Sequence, residues 1–265
     1  MREEVLSVGG LAVTERRADR AGAPVVVLVH GTLDRGRSMR RVVERLTDLH
    51  VITYDRRGYA GSVGAPPATG LRDHADDLVA VLAGRRATVV GHSFGSHVVM
   101  LAAIDRPDLV ASVGLWEPPT PWMDHAPPDM KARVAALGAA ADPEAVGEAT
   151  RRRMIGEDAW AALSESTREQ SRTEGRAFVV DMASEVTAPY SWGDLAVPRI
   201  VGRGGRTTLD FNGTCARLAR LLGCDLYCAD EAPHAAHVHD PDGFAAFVRR
   251  AVALVATATV EAPRA

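Results

Sequence analysis

Gly91-His92-Ser93-Phe94-Gly95 stands between an apolar run, Ala87-Thr88-Val89-Val90, and the helix-patterned stretch over residues 96–103. A Gly-x-Ser-x-Gly pentapeptide between a strand and a helix is the setting in which a sharp turn lifts a serine hydroxyl over the edge of a sheet as a nucleophile. Gly91 and Gly95 have no Cβ, so backbone can approach closely on both sides of the turn. Ser93 also falls at a helix N-terminus, where unpaired N–H groups and the positive end of the dipole favour developing negative charge. The same five residues would suit an ordinary glycine-flanked turn with a capping serine. The strand before them and the helix after them favour the nucleophile.

A serine hydroxyl is a weak nucleophile until a base stands within hydrogen-bond reach and an acid orients that base. The loop after the last predicted strand returns to the same edge of the sheet. There residues 231–241 carry His234, His237 and His239 just before the final predicted helix.

These groups need a sheet to hold them. Residues 5–8 and 11–17 read as a hairpin turned at Gly9-Gly10. Val25-Val26-Val27-Leu28-Val29 is a continuous run of the kind buried on both faces of a sheet. Further strands are predicted at 51–54, 88–91, 110–115, 198–202 and 225–228, with helices at 36–46, 73–82, 211–222 and 241–256. Strands alternating with helices at this spacing predict an α/β fold with a mostly parallel, doubly wound sheet. The rhythm breaks after Trp116, and helix-prone residues entered through Pro118-Pro119-Thr120-Pro121 run to about Leu195. The expected organisation is a core of residues 1–117 and 195–256, a helical lid over 118–194, and a frayed tail at 257–265.

With the pentapeptide, the His-Gly pair after the first buried strand and the histidine before the last helix in view, the chain resembles the α/β-hydrolase family over nearly all of its length outside the lid. In that family the base commonly precedes the final helix in a pattern of His, six residues, Pro and a Phe-containing helix. The resemblance maps that base to His234, with Pro241 and Phe244, ahead of His237 and His239. It also implies an oxyanion hole from the backbone N–H of Phe94 and one from His30-Gly31-Thr32-Leu33, with Thr32 preferred and Leu33 left open. The acid is a departure. Most of the family has an Asp after the strand that follows the lid, where this chain reads Gly202-Arg203-Gly204-Gly205-Arg206-Thr207-Thr208 with no carboxylate. Some members supply the acid from the end of the strand before the lid, which here is Glu117. Asp210 is the alternative, though it is also suited to capping a helix. Asp55-Arg56-Arg57-Gly58 matches a loop that shapes a turn in the family.

Trp116 and Trp122 are assigned to the substrate wall among the lid's aromatic residues, and His30 with them, although His30 is also suited to bracing its loop. Arg151-Arg152-Arg153 reads as a solvated helix face. No metal and no cofactor are implied.

The bulk numbers set wide limits. The chain has 265 residues, enough for one sizeable α/β domain with an insertion, and a net charge of −3 with mixed signs gives no reason to expect nucleic acid or an anionic membrane. Residues 1–6 carry two glutamates and no long apolar core, so no secretory signal is expected there. No apolar stretch approaches membrane-spanning length. Cys215, Cys224 and Cys228 read as free thiols of a reducing cytosol. The expectation is therefore a cytoplasmic serine hydrolase, monomer or homodimer, acting on an ester, thioester or lactone of a small, largely apolar molecule. Acyl transfer or cyclisation by the same Ser-His-Glu set, or ligand binding without catalysis, are the alternatives. Dehalogenase and epoxide hydrolase relatives use a carboxylate at the elbow and are disfavoured.

Overall fold

Strands that are apolar on both faces must be covered on both faces, and the helices of this chain divide to do so. A computed structural model describes residues 2–123, 126–127, 129–185, 190–207 and 211–261. Its strands β1 (Arg2–Val8), β2 (Leu11–Arg17), β3 (Val25–Val29), β4 (His50–Tyr54), β5 (Ala87–His92), β6 (Val110–Trp116), β7 (Arg199–Gly204) and β8 (Leu226–Ala229) form one sheet in the order β1-β2-β4-β3-β5-β6-β7-β8. β1 and β2 pair antiparallel, as do β2 and β4; the remaining neighbours run parallel. Every residue of β5 and β6 is buried, as their unbroken apolar runs require.

α2 (Leu71–Leu82), α3 (Gly95–Asp105) and α8 (Phe211–Leu222) cover one face, where Leu78, Val98, Met100 and Leu218 pack on Val27, Val89 and Val113. On the other face α1 (Arg40–Val43) and α10 (Pro241–Glu261) bring Val42, Phe244, Phe247 and Val248 against Val26, Leu28 and Val90. Between β6 and β7 come α4 (Met130–Gly138), α5 (Pro143–Ile155), α6 (Glu157–Ala161) and α7 (Glu165–Glu185). α5 and α7 meet almost backbone to backbone, since a Cβ on Gly175 would lie 2.1 Å from the Pro143 carbonyl oxygen. α4 and α7 seat Val134, Phe178 and Met182 on Leu33 and Tyr59 of the core.

Several boundaries differ from the sequence reading. β1 starts at Arg2 because Arg2, Glu3 and Glu4 pair across from Arg17, Arg16 and Glu15, a charged ladder invisible to an apolar pattern. The helix expected over 36–46 is a 3-10 turn at Gly36–Met39 followed by the single turn α1. There the chain presses on β4, a Cβ on Gly36 lying 3.1 Å from Tyr54 backbone. A short helix, α9 (Ala236–His239), follows the histidine loop, and α10 continues through 257–261, where a frayed tail was expected. The three cysteines are free thiols. Among the described residues no helix is long and apolar enough to cross a membrane.

Candidate active site

Ser93 is held at φ +52°, in the left-handed region that a serine enters only at a cost. The surroundings fix it there. A Cβ on Gly91 would lie 2.3 Å from the Gly95 carbonyl oxygen, and one on Gly95 would lie 2.3 Å from that of Val29, so both positions accept only glycine. Ser93 N–H donates to the Trp116 carbonyl at 2.8 Å, and Ser96 Oγ donates to the Gly91 carbonyl at 2.9 Å. Phe94, buried, follows Ser93 at the N-terminal edge of α3. Ser93, Gly31, Thr32, Leu33 and His234 all line one cavity of about 690 Å³.

Glu117 follows β6 directly. It is fully buried and takes φ +44°. Its N–H donates to the Gly202 carbonyl at 2.9 Å, tying it to the end of β7. Oε1 accepts the Gly204 N–H at 2.7 Å, Oε2 accepts from Thr207 Oγ1 at 3.3 Å, and His234 Nδ1 lies 2.5 Å from Oε2. β7 thus answers the missing Asp of most relatives with a backbone donor. A side chain at 204 would collide with the Ala232 carbonyl, 2.2 Å from a Cβ there. Asp210, the alternative acid, lies outside the described residues.

The His234 backbone carbonyl accepts from Trp116 Nε1 at 3.1 Å and is 2.9 Å from His92 Nε2. Burial, with the adjoining His237 and His234, holds His92 well below the usual histidine range, and because a carbonyl can only accept, its Nε2 is the donor. His237 is engaged elsewhere, its Nε2 lying 3.0 Å from Asp34 Oδ2. Burial raises the Asp34 carboxyl, but His237 outweighs it by charge and hydrogen bond and holds it below the ordinary range. His239 is exposed on the rim of the cavity. Asp34, His92 and His237 present ligand atoms within 4.8 Å of one another, the one potential metal cluster among the described residues.

Thr32 and its neighbours are set by a buried network reaching into the helical insertion. Thr32 Oγ1 donates to Asp181 Oδ2 at 2.9 Å, and Asp181, on α7, also receives Arg56 Nη2 at 2.6 Å and Tyr59 Oη at 2.6 Å. Arg56 Nε and Nη2 donate to the carbonyls of His30 and Gly31, both at 3.1 Å. Burial opposes the ionisation of Asp181 and Arg56 alike, but the charge of each on the other prevails: the carboxyl stays far below its usual range and the guanidinium above its own. Leu33, at φ +51°, gives its carbonyl to Arg151 Nη1 at 2.5 Å.

Three assignments to the substrate wall are corrected. Trp116 is fully buried, facing Phe244 and Phe247 beneath the sheet edge, with its indole N–H spent on His234. His30 is fully buried; Nε2 accepts the Arg56 N–H at 2.8 Å and Nδ1 donates to Gly31 at 2.7 Å, and burial pushes it down to about 3. Trp122 packs on His97 and Trp192 outside the lining. The apolar lining of the cavity comes instead from residues that include Met130, Val134, Leu137, Phe178, Met182 and Pro119, with Glu185 at the end of α7. Nor is Arg151-Arg152-Arg153 one solvated face: Arg152 pairs outward with Glu148 and Glu157, while Arg151 and Arg153 line the cavity.

Asp181 and Arg56 were not singled out from the sequence for the site. The available signal was spacing: Phe178, Asp181, Met182 and Glu185 share one helical face, and a carboxylate on a buried face needs a partner.

A parallel sheet with an antiparallel start, a serine on a strained strand–helix turn and an acid–histidine contact at the sheet's carboxyl edge define an α/β-hydrolase architecture. The chain belongs to the Alpha/beta hydrolase family, which it matches over residues 26–247. It is 34% identical to Epoxide hydrolase A of Mycobacterium tuberculosis over 133 residues, 48% of this chain and 41% of that protein. It is 33% identical to Lipase LipV of the same organism over 106 residues, 39% of this chain and 40% of that one. The chain therefore matches less than half the length of these curated relatives. Among solved structures, an esterase from Thermogutta terrifontis superposes with a TM-score of 0.72 at 18% identity, covering 96% of this chain and 99% of that one. The enol-lactonase of Burkholderia xenovorans LB400 gives 0.69 at 20%, covering 94% and 100%. Likeness at such identity speaks for the fold alone.

Proposed function

We propose that this chain is a serine hydrolase that cleaves an ester, thioester or lactone of a small, largely apolar molecule through an acyl-enzyme. Ser93 Oγ attacks the carbonyl carbon as His234 Nε2 takes its proton. Glu117 holds the other ring nitrogen as a donor and stabilises the imidazolium. The N–H groups of Phe94 and Thr32 receive the oxyanion, each worth about 3 kcal/mol of transition-state stabilisation. His234 returns the proton to the leaving group, and a water attacking by the same route frees the acid. The helical insertion serves as the lid over the acyl chain, and we place the protein in the cytoplasm, working without a cofactor as monomer or homodimer.

The observation that carries this reading is the 2.5 Å contact between buried Glu117 and His234 on the cavity that holds Ser93. A serine at the elbow also argues against epoxide opening, which in relatives of this fold uses a carboxylate there. The test is labelling by a fluorophosphonate probe together with release of p-nitrophenol from p-nitrophenyl butyrate. Wild type is expected to do both and Ser93→Ala neither; a wild type that does neither would refute the reading. Acyl transfer or cyclisation uses the same residues, and labelling at Ser93 without hydrolysis of any ester, thioester or lactone would favour it.

A further inference from the structure

The cavity beside Ser93 is divided by chemistry. Its depth is apolar, with Val134, Phe178 and Met182 buried in the wall. Its mouth is cationic: Arg37, Arg133 and Arg153 are exposed, Arg35 and Arg151 half-buried, and all five belong to the lining. They arrive from three separate segments, the loop after β3, α4 and α5, so their convergence is not one helix showing its solvent face.

These charges are poorly answered within the protein. Among the described residues the carboxylates of the same wall are Asp34 and Glu185. Asp34 is committed to His237. Glu185 is buried, and burial followed by the charge of Asp181 pushes its carboxyl well above the ordinary range, which disfavours its charged form. Arg35 reaches Glu174 only at 3.4 Å, and Arg133 has Asp129 on the exposed side of α4. Arg37, Arg151 and Arg153 have no ion-pair partner among the described residues. Arg151 is the most telling. Its Nη1 is spent on the Leu33 carbonyl while its buried Nε has no hydrogen-bond partner, and burial, then Arg35, hold it below the usual arginine range against the charges of Glu174 and Asp34. A buried donor without an acceptor costs about 1–3 kcal/mol. A guanidinium cluster that the protein neutralises only in part matches the charge and fork geometry of phosphate.

We infer that the leaving group of the substrate carries phosphate, held by the arginines at the mouth while the acyl chain fills the apolar depth. The inference rests on the hydrolase reading above and narrows it. In the first step the Ser93 Oγ–acyl bond forms as the bond from the acyl carbon to the leaving sulfur or oxygen breaks, and the proton taken by His234 passes to that atom. Water then cleaves the acyl-enzyme, giving the free acid and the phosphate-bearing thiol or alcohol.

The test compares butyryl-coenzyme A, butyryl-4′-phosphopantetheine and the uncharged butyryl-N-acetylcysteamine, with p-nitrophenyl butyrate as the reference ester. At low salt kcat/KM for the coenzyme A thioester is expected to exceed that for the uncharged thioester by about tenfold or more, falling toward parity near about 0.5 M KCl. The phosphopantetheine arm separates recognition of a single phosphate from recognition of the nucleotide end. Replacing Arg133 and Arg153 together by glutamine should cut the preference to below about threefold. Coenzyme A itself should bind Ser93→Ala in a calorimeter, with the heat lost when the two arginines are also replaced. Equal kcat/KM for all three thioesters, or a preference that survives the arginine replacements, overturns the inference while leaving the hydrolase reading intact. Failure to turn over any substrate, p-nitrophenyl butyrate included, removes the hydrolase reading, and this inference with it.

Discussion

Replacing Glu117 by glutamine exchanges one carboxylate oxygen for an NH2 group in a fully buried site. The two oxygens face donors of different kinds: Oε1 accepts the Gly204 N–H at 2.7 Å, and Oε2 meets His234 Nδ1 at 2.5 Å. Gly204 cannot turn its N–H away, because it is the last residue of β7 and is held in register with Ala229 of β8. The amide oxygen must therefore face Gly204 and the NH2 must face His234. Nδ1 then becomes an acceptor, the ring proton moves to Nε2, and the nitrogen that should receive the serine proton already carries one. A wrong tautomer of this sort lowers kcat by about 10,000-fold, or about 5.5 kcal/mol of transition-state stabilisation. Glu117→Asp keeps the charge but retracts it by one methylene, so a smaller loss of about 100-fold is expected. The assay is kcat for p-nitrophenyl butyrate and the rate of fluorophosphonate labelling, with the urea midpoint as the check on folding. A Glu117→Gln enzyme within tenfold of wild type and equally stable would refute the reasoning, and the same collapse in Asp210→Asn instead would move the acid there.

Asp181→Asn removes the counter-charge of buried Arg56 and should cost about 3–5 kcal/mol in urea unfolding, since a stranded charge is worse than no pair; an unchanged midpoint would show the network to be slack. Stability should also fall on mild acidification. His30 and His97, pushed down to about 3 and about 4 chiefly by burial, stay neutral in the folded protein while the unfolded chain takes up protons below about pH 6.5. Their contribution is therefore complete above that pH and is lost as pH falls, by about 4 kcal/mol together at pH 5. Equal urea midpoints at pH 7 and pH 5 would contradict this. Gly95→Ala should prevent accumulation of folded protein, because its methyl would lie 2.3 Å from the Val29 carbonyl; a soluble variant with the wild-type circular dichroism spectrum would show that the elbow yields.

What the sequence disclosed was local. The pentapeptide, the unbroken apolar strands and the alternation of strand with helix are each written within a few consecutive residues, and the parallel sheet follows from them. Strand β1 escaped in part because charged cross-strand pairs, not apolar residues, build its first half. The wall of the cavity was misassigned for a different reason. Trp116 and Trp122 are large and apolar, but composition does not say on which side of the sheet edge a side chain falls, and Trp116 turns inward to the Phe244 layer. Arg56 and Asp181 are separated by 125 residues and joined only by folding. A carboxylate at 181 on an apolar helical face could have raised the question of a partner; nothing local could have named it.

The Asp181 contact also bears on how such proteins diversify. The helical insertion is not a cassette that can be traded freely among relatives, because one of its carboxylates closes a circuit with Arg56, Tyr59 and Thr32 of the scaffold. A transplanted cap would have to deliver an acid to the same point, or arrive with the Arg56 position already rewritten. Changes in substrate preference should therefore accumulate on α4 and α5, whose side chains line the chamber, while the inner face of α7 drifts only in step with the loop after β4.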